Sequence, residues 1–294
     1  MMAAYGDSRV IRSTFDEASG ALGRDLWQLV MEGPAEALNQ TVNTQPLMLT
    51  AGVAVYRLLL EKGWQAPSIV AGHSLGEYSA LVAAGVLRFA DAVPLVELRA
   101  RAMQEAVPAG EGAMAAVLGL DTAAVISACD ESAQGQVVEA VNFNTPEQTV
   151  IAGHAGAVQR AADLAKARGA KRAVMLPVSA PFHCSLMKPA AERLRQRLGE
   201  LAMSAPLIPV VNNADVACLN DPAQIKDALV RQAASPVRWV ETMQTMAAQG
   251  VSHVYECGPG KVLSGLVKRC AEWLVGCAIA DLAGLEAALA ATNA

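Results

Sequence analysis

Apolar residues recur at helical spacing over residues 10–31 and again over residues 45–62, with the polar stretch EGPAEALNQ between them. The pattern then changes. SIVAG is a short apolar run of strand character, and the helix after it starts near Leu75. DAVPLVELRARAMQEAV is a further helix, ending before the loop PAGEGA. From there AMAAVLGL reads as a strand and TAAVISACDESA as a helix. VVEAVNF and QTVIAG are strands, AGAVQRAADLAKARG is a helix with a glycine stop, and KRAVMLPVS is a strand. That order, β-α-β-β-α-β, is the split unit of a ferredoxin-like subdomain and fits residues 110–179. HCSLMKPAAERLRQRLGEL, DPAQIKDALVRQAA, VRWVETMQTMAAQG and KVLSGLVKRC then predict helices, with IPVVNN and VSHVYECGPG as strands and an alanine-rich tail at the end. Alternation on both sides of the insertion predicts an α/β fold. Residues 1–109 and 180–294 form a core with a mostly parallel sheet, covered by helices on two faces.

Composition narrows the class. The 294 residues are 53% hydrophobic and 17% charged, enough for a sizeable core, but no charge-free apolar run approaches the roughly 20 residues of a membrane span. The N-terminal residues lack a basic stretch followed by an apolar one, so no signal peptide is expected. Six scattered cysteines without a C-x-x-C pair read as reduced thiols of a cytoplasmic protein. A net charge of −5, with no basic stretch interleaved with aromatics, argues against nucleic acid as a partner. Four histidines far apart without ligand spacing predict no metal site.

The chemistry concentrates at Gly72-His73-Ser74-Leu75-Gly76, a G-x-S-x-G pattern between a strand and a helix. There the serine sits at the tip of a tight turn. The Leu75 N–H then points to where an oxyanion forms, at the positive end of the following helix. Serine needs a base. His73 is adjacent to Ser74, so its ring should point away. His154 opens a helix of the insertion and suits a surface role, and His253 lies in a strand as a satisfied sheet histidine. His183 follows a strand through a proline-bearing loop at the domain boundary, where a cleft is expected, and is the predicted base. Arg99 shares a helical stripe with Ala92, Leu95, Val96, Ala102, Met103 and Ala106, whereas Arg101 lies on the polar side. A guanidinium facing apolar surroundings needs an acceptor. A buried Asp or Glu would make it structural; a substrate carboxylate, gripped bidentately, would make it functional.

The segments GHSLGEYSALVAAGVL, VNFNTPEQTVIAGH, PVSAPFHCSLMKPA, VRQAASPVRW and YECGPGKVLSGL, in this order, resemble the malonyl-CoA:acyl carrier protein transacylases over nearly the whole chain. The resemblance implies an α/β-hydrolase-like core with a ferredoxin-like insertion. It also implies ping-pong transfer of malonyl from malonyl-CoA to Ser74 and on to the phosphopantetheine thiol of acyl carrier protein, for fatty acid elongation. By the same resemblance His183 is the base, Arg99 the clamp for malonate's free carboxylate, and Gln232 the residue whose backbone carbonyl orients the histidine. Phe182 and His73 fall on the substrate side. No cofactor is implied, malonyl-CoA being a substrate, and a monomer without membrane attachment is expected.

The family pattern opens with a strand and a glycine-glutamine loop carrying a second oxyanion donor, and this sequence starts after them. Either the start codon lies further upstream or a core strand is lacking. The expectation is an open edge beside SIVAG, with Ser74 and His183 still within reach. Two other readings remain at this stage: a serine thioesterase or esterase with water as acceptor, and a catalytically impaired homologue that binds carrier protein. A long-lived acyl-serine separates transferase from hydrolase, and absence of serine labelling would single out the third. Lys171, Arg172, Lys188, Lys261 and Lys268 are candidates for a basic patch toward an acidic carrier protein.

Overall fold

The computed structural model describes residues 2–178 and 180–291; Met1, Ser179 and residues 292–294, among them ends of the predicted segments, lie outside the described residues. The stripe over residues 10–31 folds as two helices. α1 (Arg9–Leu22) ends at Gly23, whose φ of 66° is left-handed, and α2 (Leu26–Glu32) restarts behind Asp25, whose carboxylate accepts the Gln28 N–H at 2.8 Å. Apolar spacing runs through this break because both helices bury their stripes in the same core. The polar stretch between the two predicted helices itself holds a short helix, α3 (Ala35–Asn39), ahead of the largely buried α4 (Thr41–Glu61). Pro46 inside α4 has no N–H to give Val42, and Arg24 Nη2 takes that carbonyl at 3.3 Å.

β1 (Val70–Ala71) leads into α5 (Gly76–Ala83) and α6 (Phe89–Glu105). Next come β2 (Gly112–Leu118), α7 (Thr122–Ser132), β3 (Val138–Thr145), β4 (Gln148–His154), α8 (Ala155–Ala167) and β5 (Arg172–Met175). These four strands form one antiparallel sheet in the order β3-β4-β2-β5, with α7 and α8 packed on a core of their own. α9 (Lys188–Glu200), β6 (Val210–Val211), α10 (Pro222–Ala233), α11 (Trp239–Ala248), β7 (His253–Cys257) and α12 (Val262–Cys270) complete the expected alternation. The end of the chain departs from the reading as a tail: β8 (Val275–Ile279) is a full strand and α13 (Leu282–Ala291) follows it. His253 also departs. It lies in a strand but is exposed, and its ring makes one hydrogen bond among the described residues, Nδ1 to Ser252 Oγ at 3.0 Å.

The fold is α/β with parallel pairing in the core, but that pairing is split. β1 pairs with β6 and β7 with β8, both parallel, and the two pairs do not meet. Between them a cavity of about 860 Å³ runs along residues 69–72 on one side and residues 253–258 on the other, reaching Ser74, Arg99 and His183.

The subdomain is fastened beside this cavity. Phe143 N–H donates to Val237 O at 3.0 Å, and Val237 N–H donates to Val141 O at 2.8 Å. Met114, Val141, Val150, Ala152 and Cys184 form a separate apolar cluster against which Phe182 and Leu186 pack. This cluster seats the loop that carries His183.

Candidate active site

Ser74 has φ 54°, left-handed for a residue with a Cβ, which marks the tip of a strand-to-helix elbow. Gly72 makes the turn possible. A Cβ there would lie 1.9 Å from the Gly76 carbonyl carbon, whereas a Cβ at Gly76 meets nothing within 4 Å. The strained serine is held from both sides: its N–H donates to Asn213 Oδ1 at 2.7 Å, and Asn213 Nδ2 donates to Gly72 O at 2.8 Å. The Leu75 N–H, at the start of α5, bonds no group of the protein among the described residues and is free for an oxyanion.

His183 is itself left-handed, with φ 67°, and 3% exposed. Its Nε2 lies 2.7 Å from Ser74 Oγ and its Nδ1 lies 3.0 Å from the Gln232 carbonyl, a contact in which Nδ1–H donates. With Nδ1 protonated, Nε2 is the acceptor that a general base requires. Burial, with the Arg99 charge adding to it, pushes the imidazole down to about 3, so the ring is neutral and ready to take a proton. The group that faces Nδ1 is a carbonyl rather than a carboxylate, and Gln232 supplies it from the last turn of α10.

Arg99 is 2% exposed and, among the described residues, contacts no carboxylate. Its Nη1 donates to Gln45 Oε1 at 2.7 Å; its Nη2 donates to Ser74 Oγ at 3.0 Å and to Gln232 Oε1 at 3.1 Å. The guanidinium carbon lies 5.4 Å from the Tyr78 ring centre, and Nε has no partner among the described residues. A full positive charge therefore stands beside the nucleophile, solvated by two amide oxygens and a ring face. This arrangement has spare donor capacity for an anion.

His73 turns from Ser74 and lies 2.9 Å from Asn144 Oδ1, across the boundary to the subdomain, with its ring 5.5 Å from that of Trp239. It lines the same cavity, as does half-buried Phe182. His154 caps α8, its Nδ1 accepting the Val137 N–H at 2.9 Å. All five basic candidates are exposed; Lys261 pairs with Asp281 at 3.5 Å. Sequence reasoning passed over Glu77, Asn213 and Gln45. Glu77 is 1% exposed, and its Oε2 accepts the Asn213 N–H at 2.9 Å and Gln232 Nε2 at 2.8 Å. Its signal was a lone carboxylate one helical turn beyond Ser74, on a helix of otherwise small and apolar residues.

A strained serine, a neutral imidazole and a buried cation stand within hydrogen-bond reach of one another, an arrangement able to carry serine-based acyl transfer on an acyl group that bears an acid. The chain belongs to the acyl transferase domain family, which matches residues 2–287. It is 58% identical over 280 residues to the malonyl CoA-acyl carrier protein transacylase of Salmonella typhimurium, covering 95% of this chain and 91% of that protein. Its fold is similar to that of the acyl-carrier-protein S-malonyltransferase of Burkholderia pseudomallei, with a TM-score of 0.97 and 58% identity over 98% of this chain and 94% of that one. A malonyl-transacylase solved in complex with its type II polyketide synthase acyl carrier protein matches with a TM-score of 0.97 and 53% identity, covering 99% of this chain and 94% of that one.

Proposed function

We propose that Ser74, His183 and Arg99 carry the malonyl transfer of this acyltransferase, from malonyl-CoA to the thiol of acyl carrier protein. Arg99 receives the free carboxylate. His183 Nε2 takes the Ser74 proton as Oγ attacks the thioester carbonyl, and the Leu75 N–H stabilises the oxyanion. His183 returns the proton to the departing CoA thiolate. The carrier-protein thiol then attacks malonyl-Ser74 by the reverse of these steps. The observation that carries the reading is the 3.0 Å contact of Arg99 Nη2 with Ser74 Oγ, which puts a carboxylate-binding charge beside the nucleophile. A general esterase has no use for that charge.

No cofactor takes part in this scheme, and the partners are malonyl-CoA and acyl carrier protein. Exposed Lys171, Arg172, Lys188, Lys261 and Lys268 are the basic side chains offered to an acidic carrier protein. Among the described residues no helix is long and apolar enough to cross a membrane. A cytoplasmic, monomeric enzyme is our reading of the scattered reduced cysteines and the apolar core. Mass spectrometry after incubation with malonyl-CoA tests the scheme. The native chain should gain one malonyl adduct on Ser74 that persists without a thiol, and Ser74→Ala should gain none. An adduct on Ser74→Ala would move the nucleophile elsewhere.

A further inference from the structure

Arg99 is a buried cation without a carboxylate in contact, yet one carboxylate stands behind it. The Gln232 amide bridges the two: Oε1 accepts from Arg99 Nη2 at 3.1 Å, and Nε2 donates to Glu77 Oε2 at 2.8 Å. Glu77 is locked in this place. Oε2 also accepts the Asn213 N–H at 2.9 Å, and its own backbone N–H donates to Ser74 O at 3.1 Å. Neither of these bonds engages Oε1, which is therefore open to a proton while both acceptor bonds at Oε2 are kept. The charged and titratable groups around Glu77 are few. Arg99 faces it from α6, Asp215 lies beyond the end of β6 and is tied to Arg231 of α10, and Tyr78 adjoins it on α5.

We infer that Glu77 is the counter-charge of Arg99 in the unloaded enzyme, and that it gives up this role by taking one proton on Oε1 when an acyl group bearing a carboxylate binds Arg99. The inference rests on Arg99 being the carboxylate clamp. Two carboxylates about one amide apart from each other, sharing one guanidinium in a dry site, do not both stay ionised cheaply. A substrate carboxylate in direct contact with Arg99 takes up the charge that Glu77 had balanced through the amide. Glu77 then holds a bare negative charge in a site that penalises it, and a solvent proton closes the balance: one O–H bond forms and none breaks. Burial already pushes this carboxyl up to about 7, against the opposing pull of its two hydrogen bonds and Arg99, so above pH 7 it is mostly ionised in the unloaded enzyme and a modest further push makes it take up a proton there. Glu77 touches no substrate and is a positioning residue.

Calorimetric binding of malonyl-CoA and of acetyl-CoA to Ser74→Ala, which cannot react, decides the matter when run in two buffers of different ionisation heat. Between pH 7 and 8.5 malonyl-CoA should take up a fraction of a proton, at most one, and its dissociation constant should rise several-fold, with a slope of at most tenfold per pH unit. Acetyl-CoA should show neither effect. In Ser74→Ala/Glu77→Gln, where an amide oxygen keeps both acceptor bonds without the charge, malonyl-CoA affinity should become independent of pH and the uptake should vanish. Proton-free malonyl-CoA binding to Ser74→Ala overturns the inference even if the double variant does not fold, as does uptake that persists undiminished in the double variant. Equal affinity for malonyl-CoA and acetyl-CoA at every pH would instead overturn the clamp itself.

Discussion

At the scale of single residues, the site is built on side chains whose burial contradicts their chemistry. Arg99 sits among apolar neighbours on α6, and its charge is met by two amide oxygens and the Tyr78 face rather than by a carboxylate. That leaves it partnered well enough to fold and short of an anion. Arg99→Ala should lower malonyl transfer by about 2–5 kcal/mol in activation free energy, the usual loss when one side of a desolvated charge pair is removed. Acetyl transfer should fall far less, because acetate has no second carboxylate. Arg101, exposed and 3.9 Å from Glu97, is the control, and Arg101→Ala should be nearly silent. Rates of adduct formation on Ser74 from the two thioesters check this, and equal losses for both acyl groups would make Arg99 a structural residue.

The elements explain why such residues converge. α5 starts from the elbow, α10 ends at Gln232, and the subdomain cluster of Met114, Val141 and Cys184 holds the His183 loop down onto both. Glu139 of β3 adds to that hold, accepting the Ser185 N–H at 2.9 Å and the Ser185 hydroxyl at 2.6 Å. The elbow itself depends on one glycine more than on the other. Gly72→Ala puts a Cβ into the Gly76 carbonyl and the Glu77 N–H, backbone atoms that cannot swing aside. It should cost about 1–3 kcal/mol or more of stability by overpacking and slow Ser74 acylation about 10²-fold through misplacement. Gly76→Ala should leave both the melting temperature and the acylation rate close to native. If the two variants behave alike, the tight approach at Gly72 is not what sets the elbow.

Seen as a whole molecule, the enzyme is two parallel strand pairs separated by a long apolar cavity, with the reacting atoms at its carboxyl end. In a parallel pair alternate residues turn their backbone N–H and C=O away from the partner strand, so β1 and β7 both offer ladder positions to this space. Tyr5, whose single hydroxyl hydrogen is within reach of Asp281 O at 2.8 Å and Ile279 O at 3.2 Å, stands at the carboxyl edge of β8. Docking is the other property of this scale. Exposed lysines on a chain of net charge −5 attract an acidic partner only locally, so transfer to carrier protein should weaken between low and high salt while transfer to free pantetheine stays level. A common salt response would remove the basic patch.

Local chemistry was legible in the sequence wherever it is a matter of short-range spacing. G-x-S-x-G between an apolar run and a helix marks an elbow, and the βαββαβ order follows from periodicity and glycine stops. Arg99 on an apolar stripe is conspicuous because a charge there is costly, and the loop of His183 declares itself by its place between two units. Tertiary structure decided what spacing cannot reach. β8 was invisible because LVGCAIAD is as compatible with an alanine-rich helix as with a strand until β7 offers it an edge. The break at Gly23 was hidden because one core buries both stripes. Glu77 escaped notice because a carboxylate on a helix is ordinarily solvated. Only the arrival of Asn213 from 136 positions away and Gln232 from 155 makes it a buried acceptor. Composition and period record what a residue prefers alone; which long-range partner relieves a buried charge is fixed when the chain closes on itself.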